Sequence, residues 1–422
     1  MKTSAGLYDA VVFTAGSTVT NNGGSLSLTP VDADKVRVLL AGGAKMVQAS
    51  GETEMGRKLV SLGAHNQANG FIDVSGGTLH LSAAQVQLGT GNASGTITVS
   101  GGEVENAGTM QLGFDTFSGA GGWLNLSAGT WRQVNGGLVA VGDKRGETSA
   151  INVTGTGAFF TTGNVVLGQT PYYSELAKAS GVLLVDGGSF TATNAAGDAA
   201  LTLKRGTLRI RNGGTLAVDS LATGDSGADA KVDFTGGALA VGTATISNTL
   251  VTVVGNGVDA ATLSLGAGPH LFFDGLQIRA QSTLQTTGGV TVRGAGTTVE
   301  AGGALRLDGE WIEDATVVFD SDLTIGSGST LTYAYGFDMR SNPAIAVTGN
   351  LALPDVLTIE LDALREANGF GVALFTYDTL DPVPDVRQWT VTGIPGCWVE
   401  HDPGNSRILV IRPPLATVIA IR

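Results

Sequence analysis

The feature that most constrains the fold is a short phrase that recurs along the first half of the chain. It consists of a strand-like run with alternating apolar residues, a small residue with one or two glycines, and a second strand-like run. The copies are FIDVSGGTLHL from Phe71, TITVSGGEVE from Thr96, WLNLSAGTWR from Trp123, VLLVDGGSF from Val182, LRIRNGGTLAV from Leu208 and KVDFTGGALAV from Lys231, with a looser copy, INVTGTGAFF, from Ile151. Such a recurrence predicts a repeat fold in which each copy is one structural unit.

A second phrase, an apolar residue followed by any residue, Leu or Val, and Gly, gives the period. Its copies end at Gly63, Gly89, Gly113, Gly142 and Gly168, so they are 24 to 29 residues apart. Intervals of this length are typical of stacked supersecondary units. We therefore expect one turn of a solenoid per repeat, most clearly over residues 60–240.

The residues within each phrase favour β-strands. Val, Ile, Leu, Thr and Phe alternate over runs of about five residues, which suits a half-buried pleated surface. Glycine reaches positive φ at little steric cost, so we expect the glycine pairs at corners. The chain contains 64 Gly but 11 Pro, without a glycine at every third position, and this excludes collagen. The sequence thus predicts an all-β fold, a parallel β-helix solenoid over residues 1–345, with an array of β-sandwiches as the alternative.

Near Pro343 the glycine pairs become sparse, and residues 346–422 are expected to form a C-terminal β-rich capping subdomain. The final segment, PPLATVIAIR, has the apolar and β-branched composition of a strand. It is either the last strand of the cap or a strand that pairs with a neighbouring molecule. The residues that would carry such assembly are Leu415, Val418, Ile419 and Ile421.

The repeats at residues 60–240 resemble the glycine-rich repeats of autotransporter-type passenger domains. The ending, with VTGNLALPDVLTIELDAL, FGVALFTYDTL, QWTVTG and RILVI, resembles the terminal module of proteins that carry autotransporter-associated β-strand repeats. This resemblance implies a right-handed parallel β-helix and an extracellular or cell-surface location. Residues 1–13 lack the charged leader, apolar core and cleavage site of a signal peptide, so the location rests on the resemblance.

Charge and residue usage argue against several classes of function. The formal net charge is −13 and Lys and Arg are not clustered, so nucleic acid is not an expected partner. No apolar run is long enough to span a bilayer. The four histidines are scattered, HExxH and CxxC motifs are missing and Cys397 is the single cysteine, so we expect no metal site, cofactor or internal disulfide.

Two groups of residues are candidates for contact with a partner. Tyr172 and Tyr173 lie in the longest insertion, where adjacent exposed tyrosines could anchor a partner or pack against the solenoid wall. In RLDGEWIEDATVVFDSD, Glu310 and Glu313 flank Trp311, as paired carboxylates and a stacking aromatic would in a carbohydrate cleft. A solvated acidic face is the ordinary explanation of that segment. The charged clusters at 143–145 and 52–58 are interpreted as corner loops.

We therefore predict a non-enzymatic extracellular structural or adhesive surface protein: a stalk, a passenger or a self-assembling module. Its partners would be itself, through strand edges, or a glycan or protein on a host or cell surface. The alternative is a polysaccharide-active β-helix enzyme, a lyase or a glycoside hydrolase, which the fold would also suit. We assign no catalytic residues and no cofactor.

Overall fold

Parallel β-strands stacked in register make up nearly all of the regular structure. The computed structural model describes residues 8–13, 16–29, 35–63, 69–91, 93–116, 121–142, 149–168, 180–224, 230–247, 250–308, 316–334, 343–361 and 371–411. The strands form a parallel β-solenoid of about 11 turns, which confirms the predicted fold class. The described residues contain no helix that is long and apolar enough to cross a membrane.

The chain divides into two compact units, Met1–Leu239 and Ala240–Arg422. The strands of the first unit are β1 (Tyr8–Phe13), β2 (Thr18–Leu28), β3 (Lys35–Leu40), β4 (Lys45–Met55), β5 (Leu59–Leu62), β6 (Gly70–Val74), β7 (Thr78–Leu81), β8 (Gln85–Gly91), β9 (Gly95–Asn106), β10 (Thr109–Thr116), β11 (Gly122–Gln133), β12 (Val139–Val141), β13 (Ser149–Thr154), β14 (Ala158–Thr161), β15 (Val165–Leu167), β16 (Gly181–Asp186), β17 (Ser189–Ala192), β18 (Ala200–Leu203), β19 (Gly206–Arg211), β20 (Thr215–Thr223) and β21 (Ala230–Phe234).

Strand β22 (Gly237–Ile246) contains the last residues of the first unit and the first residues of the second. The second unit continues with β23 (Thr252–Val254), β24 (Ala261–Leu265), β25 (Gly268–Phe272), β26 (Leu276–Ile278), β27 (Ser282–Thr286), β28 (Val290–Gly294), β29 (Thr297–Val299), β30 (Ala304–Leu307), β31 (Val317–Asp320), β32 (Leu323–Ile325), β33 (Ser329–Tyr333), β34 (Ile345–Ala352), β35 (Leu357–Leu361), β36 (Gly371–Leu380), β37 (Thr390–Thr392), β38 (Trp398–Asp402) and β39 (Arg407–Ile411), with short 3-10 helices at Val386–Gln388 and Pro403–Asn405.

The strands of the first unit form three parallel stacks, and each coil contributes one strand segment to each stack. The first stack contains β1, β3, β5, β8, β10, β12, β15, β18 and the end of β20. The second stack contains β6, β13, β16, β19, β21 and the first halves of β2, β4, β9 and β11. The third stack contains β7, β14, β17, the start of β20 and the second halves of the same four long strands.

Alternation along each strand sends every second side chain into the core. In β6, Gly70, Ile72 and Val74 are buried, whereas Phe71 and Asp73 are half-buried on the outer surface. Strand β16 has the same alternation, and its half-buried outward residues include the apolar Val182 and Leu184. Because the coils are in register, the same inward position recurs on successive coils. Fully buried Trp131, Phe159 and Phe190 therefore stack on one another, with ring centroids 6.2 and 4.7 Å apart and planes within 5°.

Glycines form the corners between stacks, as predicted. Gly63, Gly142 and Gly168 directly follow strands of the first stack, whereas Gly89 and Gly113 lie within β8 and β10. All five have φ between 69° and 74°. At the corner between the second and third stacks, Gly77 and Gly102 have φ of 68° and 72°. A Cβ atom on Gly102 would lie 2.5 Å from the carbonyl oxygen of Gly77 in the coil beside it. These corners thus require both positive φ and the absence of a side chain.

Parallel pairing in the second unit continues past residue 345. Strand β35 pairs in parallel with β33 and with β37, and β34 pairs in parallel with β36. The direction reverses at β39, which pairs antiparallel with β36 on one side and with β38 on the other. The second unit therefore changes from parallel coils to an antiparallel arrangement near its C-terminal end.

We predict that Gly102→Ala destabilises the first unit more than Gly197→Ala. Both glycines have positive φ, so each substitution introduces the strain of a left-handed alanine, about 1 to 2 kcal/mol. A Cβ on Gly197 would meet nothing within 4 Å, whereas a Cβ on Gly102 would meet backbone atoms of the neighbouring coil. Chemical denaturation should show a loss of about 3 kcal/mol or more in the free energy of unfolding for Gly102→Ala. Equal losses in the two variants would contradict the close approach of the coils.

Candidate functional site

The outward face of the third stack in the first unit carries the main concentration of chemically active side chains that the structure describes. Its residues stand in two columns, because outward positions of β2, β4, β7, β9 and β11 lie directly above one another. One column contains Ser25, Glu52, Thr78, Glu103 and Thr130, and the other contains Ser27, Glu54, His80, Glu105 and Arg132. Residues about 25 positions apart in sequence thereby become neighbours about 4.8 Å apart.

Two of the four carboxylates on this face have side-chain partners. His80 Nδ1 lies 2.8 Å from Glu105 Oε2, and Arg132 Nε donates to Glu103 Oε1 at 2.6 Å. The guanidinium carbon of Arg132 also lies 5.0 Å from the centre of the Phe160 ring, within the range of a cation–π contact. The part of the face near β9 to β14 is thus internally compensated.

The part of the face near β2 and β4 forms a groove with a volume of about 480 Å³. It is lined by Ser25, Leu26, Ser27, Glu52, Glu54, His80 and Ser82. Glu52 and Glu54 are exposed, and their carboxylates have no hydrogen-bond or ion-pair partner among the residues that the structure describes. The groove therefore combines uncompensated negative charge with hydroxyl groups.

The sequence interpretation of residues 52–58 as a corner loop is wrong for Glu52–Met55. These residues belong to β4, and the corner lies just before them at Gly51, which has φ of 75°. Alternation along the strand explains the burial, since Thr53 and Met55 point inward and both glutamates point outward. A sequence signal was present: aligning GETEM with GTLHL and GEVEN on the corner glycine places Glu54, His80 and Glu105 in one column.

The contact residues predicted from sequence lie outside the described residues. This holds for Tyr172 and Tyr173, for Glu310, Trp311 and Glu313, and for Leu415, Val418, Ile419 and Ile421. They therefore stay predictions.

Three carboxylates that surround the predicted acidic cluster do lie in the described part of the chain. Asp308 accepts hydrogen bonds from Arg306 Nε and Gln285 Nε2. Asp320 pairs with Arg293 at 3.2 Å, and Asp322 accepts a hydrogen bond of 2.8 Å from the backbone N–H of Asn350. Each of these carboxylates forms its hydrogen bond or ion pair with a residue of an adjacent coil or of its own strand. These contacts do not bring the three carboxylates together at one site.

His270 is an ionisable residue in the core of the second unit. Its side chain is fully buried in β25, where Nε2 donates to the carbonyl oxygen of Gly266 at 2.8 Å. Nδ1 has no hydrogen-bond partner among the described residues. Burial lowers the pKa of His270 below its ordinary value of 6.5, against the opposing effect of the hydrogen bond to Gly266. The imidazole is therefore held neutral inside the fold.

A second polar cluster lies in the antiparallel sheet of the second unit. Tyr377 Oη and His401 Nε2 are 2.8 Å apart, so a hydrogen bond joins β36 to β38 across β39. Burial, aided by the negative charge of Asp402, raises the pKa of Tyr377. Hydrogen bonds from Asn405 and Arg407 lower the pKa of Asp402. These contacts fasten the three antiparallel strands to one another.

The part of the chain that the structure describes contains no group of three or more His, Cys, Asp or Glu residues arranged to hold a metal ion. Comparisons with known protein families, with curated proteins and with solved structures find no match for this chain.

We predict that His270 makes the stability of the fold depend on pH. Between pH 6.5 and its lower folded-state pKa, the unfolded chain binds a proton at His270 that the folded chain does not. The free energy of unfolding should therefore fall as the pH is lowered through this range. His270→Gln keeps an N–H donor for the carbonyl oxygen of Gly266 but does not titrate. When the pH is lowered from roughly 7.5 to roughly 5, across the ordinary pKa of histidine, the denaturation midpoint of this variant should fall less than that of the wild type. Identical pH profiles would contradict this assignment.

Proposed function

We propose that the chain is a non-enzymatic structural and adhesive module of an extracellular or cell-surface protein. The observation that supports this proposal is the use of outward charged side chains to join one coil to another. In the described part of the chain, ion pairs between coils include Lys45–Asp73, Glu103–Arg132, Asp186–Arg211, Arg209–Asp233 and Arg293–Asp320.

These pairs act mainly by fixing the register of the coils. An exposed ion pair contributes about 0.2 to 1 kcal/mol, so none of them is a large source of stability alone. A shift of register by one residue would, however, turn these outward charged side chains toward the core, where an unpaired charge is costly. An outer surface used in this way suits a module that must hold its shape under load, as a stalk or passenger does.

We further propose that the antiparallel strands near the C-terminus cap the solenoid. Among the described residues, the outer strand of this antiparallel sheet is β38, which is five residues long and carries Glu400, His401 and Asp402. Short strands with charged side chains discourage edge-to-edge pairing. Assembly, in this proposal, would use the apolar segment at 413–422 rather than the edge of β38.

A parallel β-solenoid is equally compatible with a polysaccharide-active enzyme. An assay for polysaccharide cleavage therefore distinguishes the structural function from the enzymatic alternative. We expect no cleavage when the chain is incubated with a panel of neutral and acidic polysaccharides. Release of reducing ends would detect hydrolysis, and unsaturated products would detect a lyase. An active polysaccharide-degrading enzyme in parallel reactions would show that the assay works. Cleavage that is lost in the double variant Glu310→Gln, Glu313→Gln would replace our proposal with the enzymatic alternative.

Light scattering of the full chain and of a chain that lacks residues 413–422 tests the assembly proposal. We expect oligomers of the full chain that disappear on truncation, because an apolar strand gains its backbone partners from a second molecule. Val418→Lys with Ile419→Lys should act like the truncation, whereas Ala416→Lys with Thr417→Lys should have a smaller effect. The same mass for all four chains would refute assembly through this segment.

A further inference from the structure

The groove on the third stack of the first unit has the chemistry of a binding site for a cation that also carries hydroxyl groups. We propose that it binds an amino sugar, through an ammonium group placed at Glu52 and Glu54 and hydroxyl groups placed at the serines. This inference rests on the proposed adhesive function and names the ligand class of that function.

The carboxylates supply the first part of the argument. Glu52 and Glu54 lie two residues apart on one face of β4, so their Cα atoms are about 7 Å apart. Both are exposed and without a partner in the described part of the chain, whereas Glu103 and Glu105 on the same face have Arg132 and His80. A single ammonium group has three N–H donors and can bond to both unpaired carboxylates. The neighbouring carboxylates therefore select a compact cation.

The hydroxyl groups supply the second part. Ser25 and Ser27 lie on the coil below the two glutamates, and Ser82 follows the strand on the coil above them. The Ser27 hydroxyl also shares a hydrogen bond of 2.7 Å with the Thr29 hydroxyl. A serine hydroxyl both donates and accepts, which suits the hydroxyl groups of a sugar. A ligand with an ammonium group alone would leave these groups unused.

The volume and openness of the site to solvent suit one or two residues of a chain rather than an enclosed small molecule. The groove of about 480 Å³ lies on a flat solenoid face, and Leu26 supplies an apolar part of its lining. Strands β7, β9 and β11 continue the face beyond β4, so a polymer could extend past the groove on that side. The partner that fits is thus an oligomer of glucosamine with free amino groups.

Isothermal titration of the full chain with a glucosamine tetramer, at fixed ionic strength, tests the proposal. We expect saturable binding that becomes weaker by about tenfold or more in Glu54→Gln, because a charge-assisted hydrogen bond is lost. The N-acetylated tetramer, which has the same hydroxyl groups but no cation, should bind more weakly by a similar factor. Equal affinity of the wild type and Glu54→Gln would overturn the proposal.

Net charge requires its own control, since a chain of formal charge −13 attracts cations without any site. Glu400→Gln removes the same charge from an exposed position in the other unit and should leave the affinity unchanged. Equal weakening by Glu54→Gln and Glu400→Gln would show attraction without a site and overturn the proposal. Tetralysine that binds as tightly as the sugar, and with the same sensitivity to Glu54→Gln, would overturn the assignment to an amino sugar.

The same samples separate failure of this inference from failure of the proposed function. Mass spectrometry of the tetramer after titration should show it intact. Cleaved product would contradict the non-enzymatic function itself. An intact tetramer that does not bind would contradict only the proposal that the groove binds an amino sugar. Thermal denaturation of each variant, compared with that of the wild type, would show that the exposed substitutions leave the fold intact.

Discussion

In-register parallel stacking of coils is the constraint on which the other features of this protein depend. Hydrogen bonds between adjacent strands fix the spacing at about 4.8 Å, so each residue lies beside its equivalent in the coils above and below. A side chain therefore fits only if it can pack against the equivalent side chains of the coils above and below. Inside, this favours the stacked rings of Trp131, Phe159 and Phe190. At the corners it favours glycine, because the backbones of successive coils approach too closely for a Cβ.

The same constraint determines where a binding site can arise. On a flat face, a residue can converge only with neighbours on its own strand or on adjacent coils, so a site appears where successive coils carry unmatched residues. Most charged positions on the described outer surface are matched, as Asp186 is with Arg211 and Asn212, whose hydrogen bonds lower the pKa of Asp186. Glu52 and Glu54 break this matching at a point where the coil below offers serines.

The sequence predicted the features that repeat and missed those that occur once. Glycine corners, strand alternation and the coil period recur often enough for the chain to serve as its own alignment, and the structure has them. Glu52 and Glu54 were misread because their coil has Ser50–Gly51 at the corner instead of the glycine pair, and the surrounding charges suggested a loop. Past residue 345, β34 and β35 pair in parallel and keep strand composition without glycine pairs between them. His270 gave no sign of its burial, because a single histidine in a strand faces inward or outward according to register.

The antiparallel end follows from the same geometry. A parallel stack has no internal way to stop, since every added coil presents a new edge like the last. At β39 this repetition is interrupted, because β39 runs antiparallel to β36 and β38 instead of adding a strand in the direction of the coils. The reversed strands need contacts that the coils do not supply. The hydrogen bond between Tyr377 and His401 and the ion pair between Arg407 and Asp402 lie at this place. Polar contacts thus lie where the pairing changes from parallel to antiparallel, in contrast to the apolar, repetitive interior of the coils.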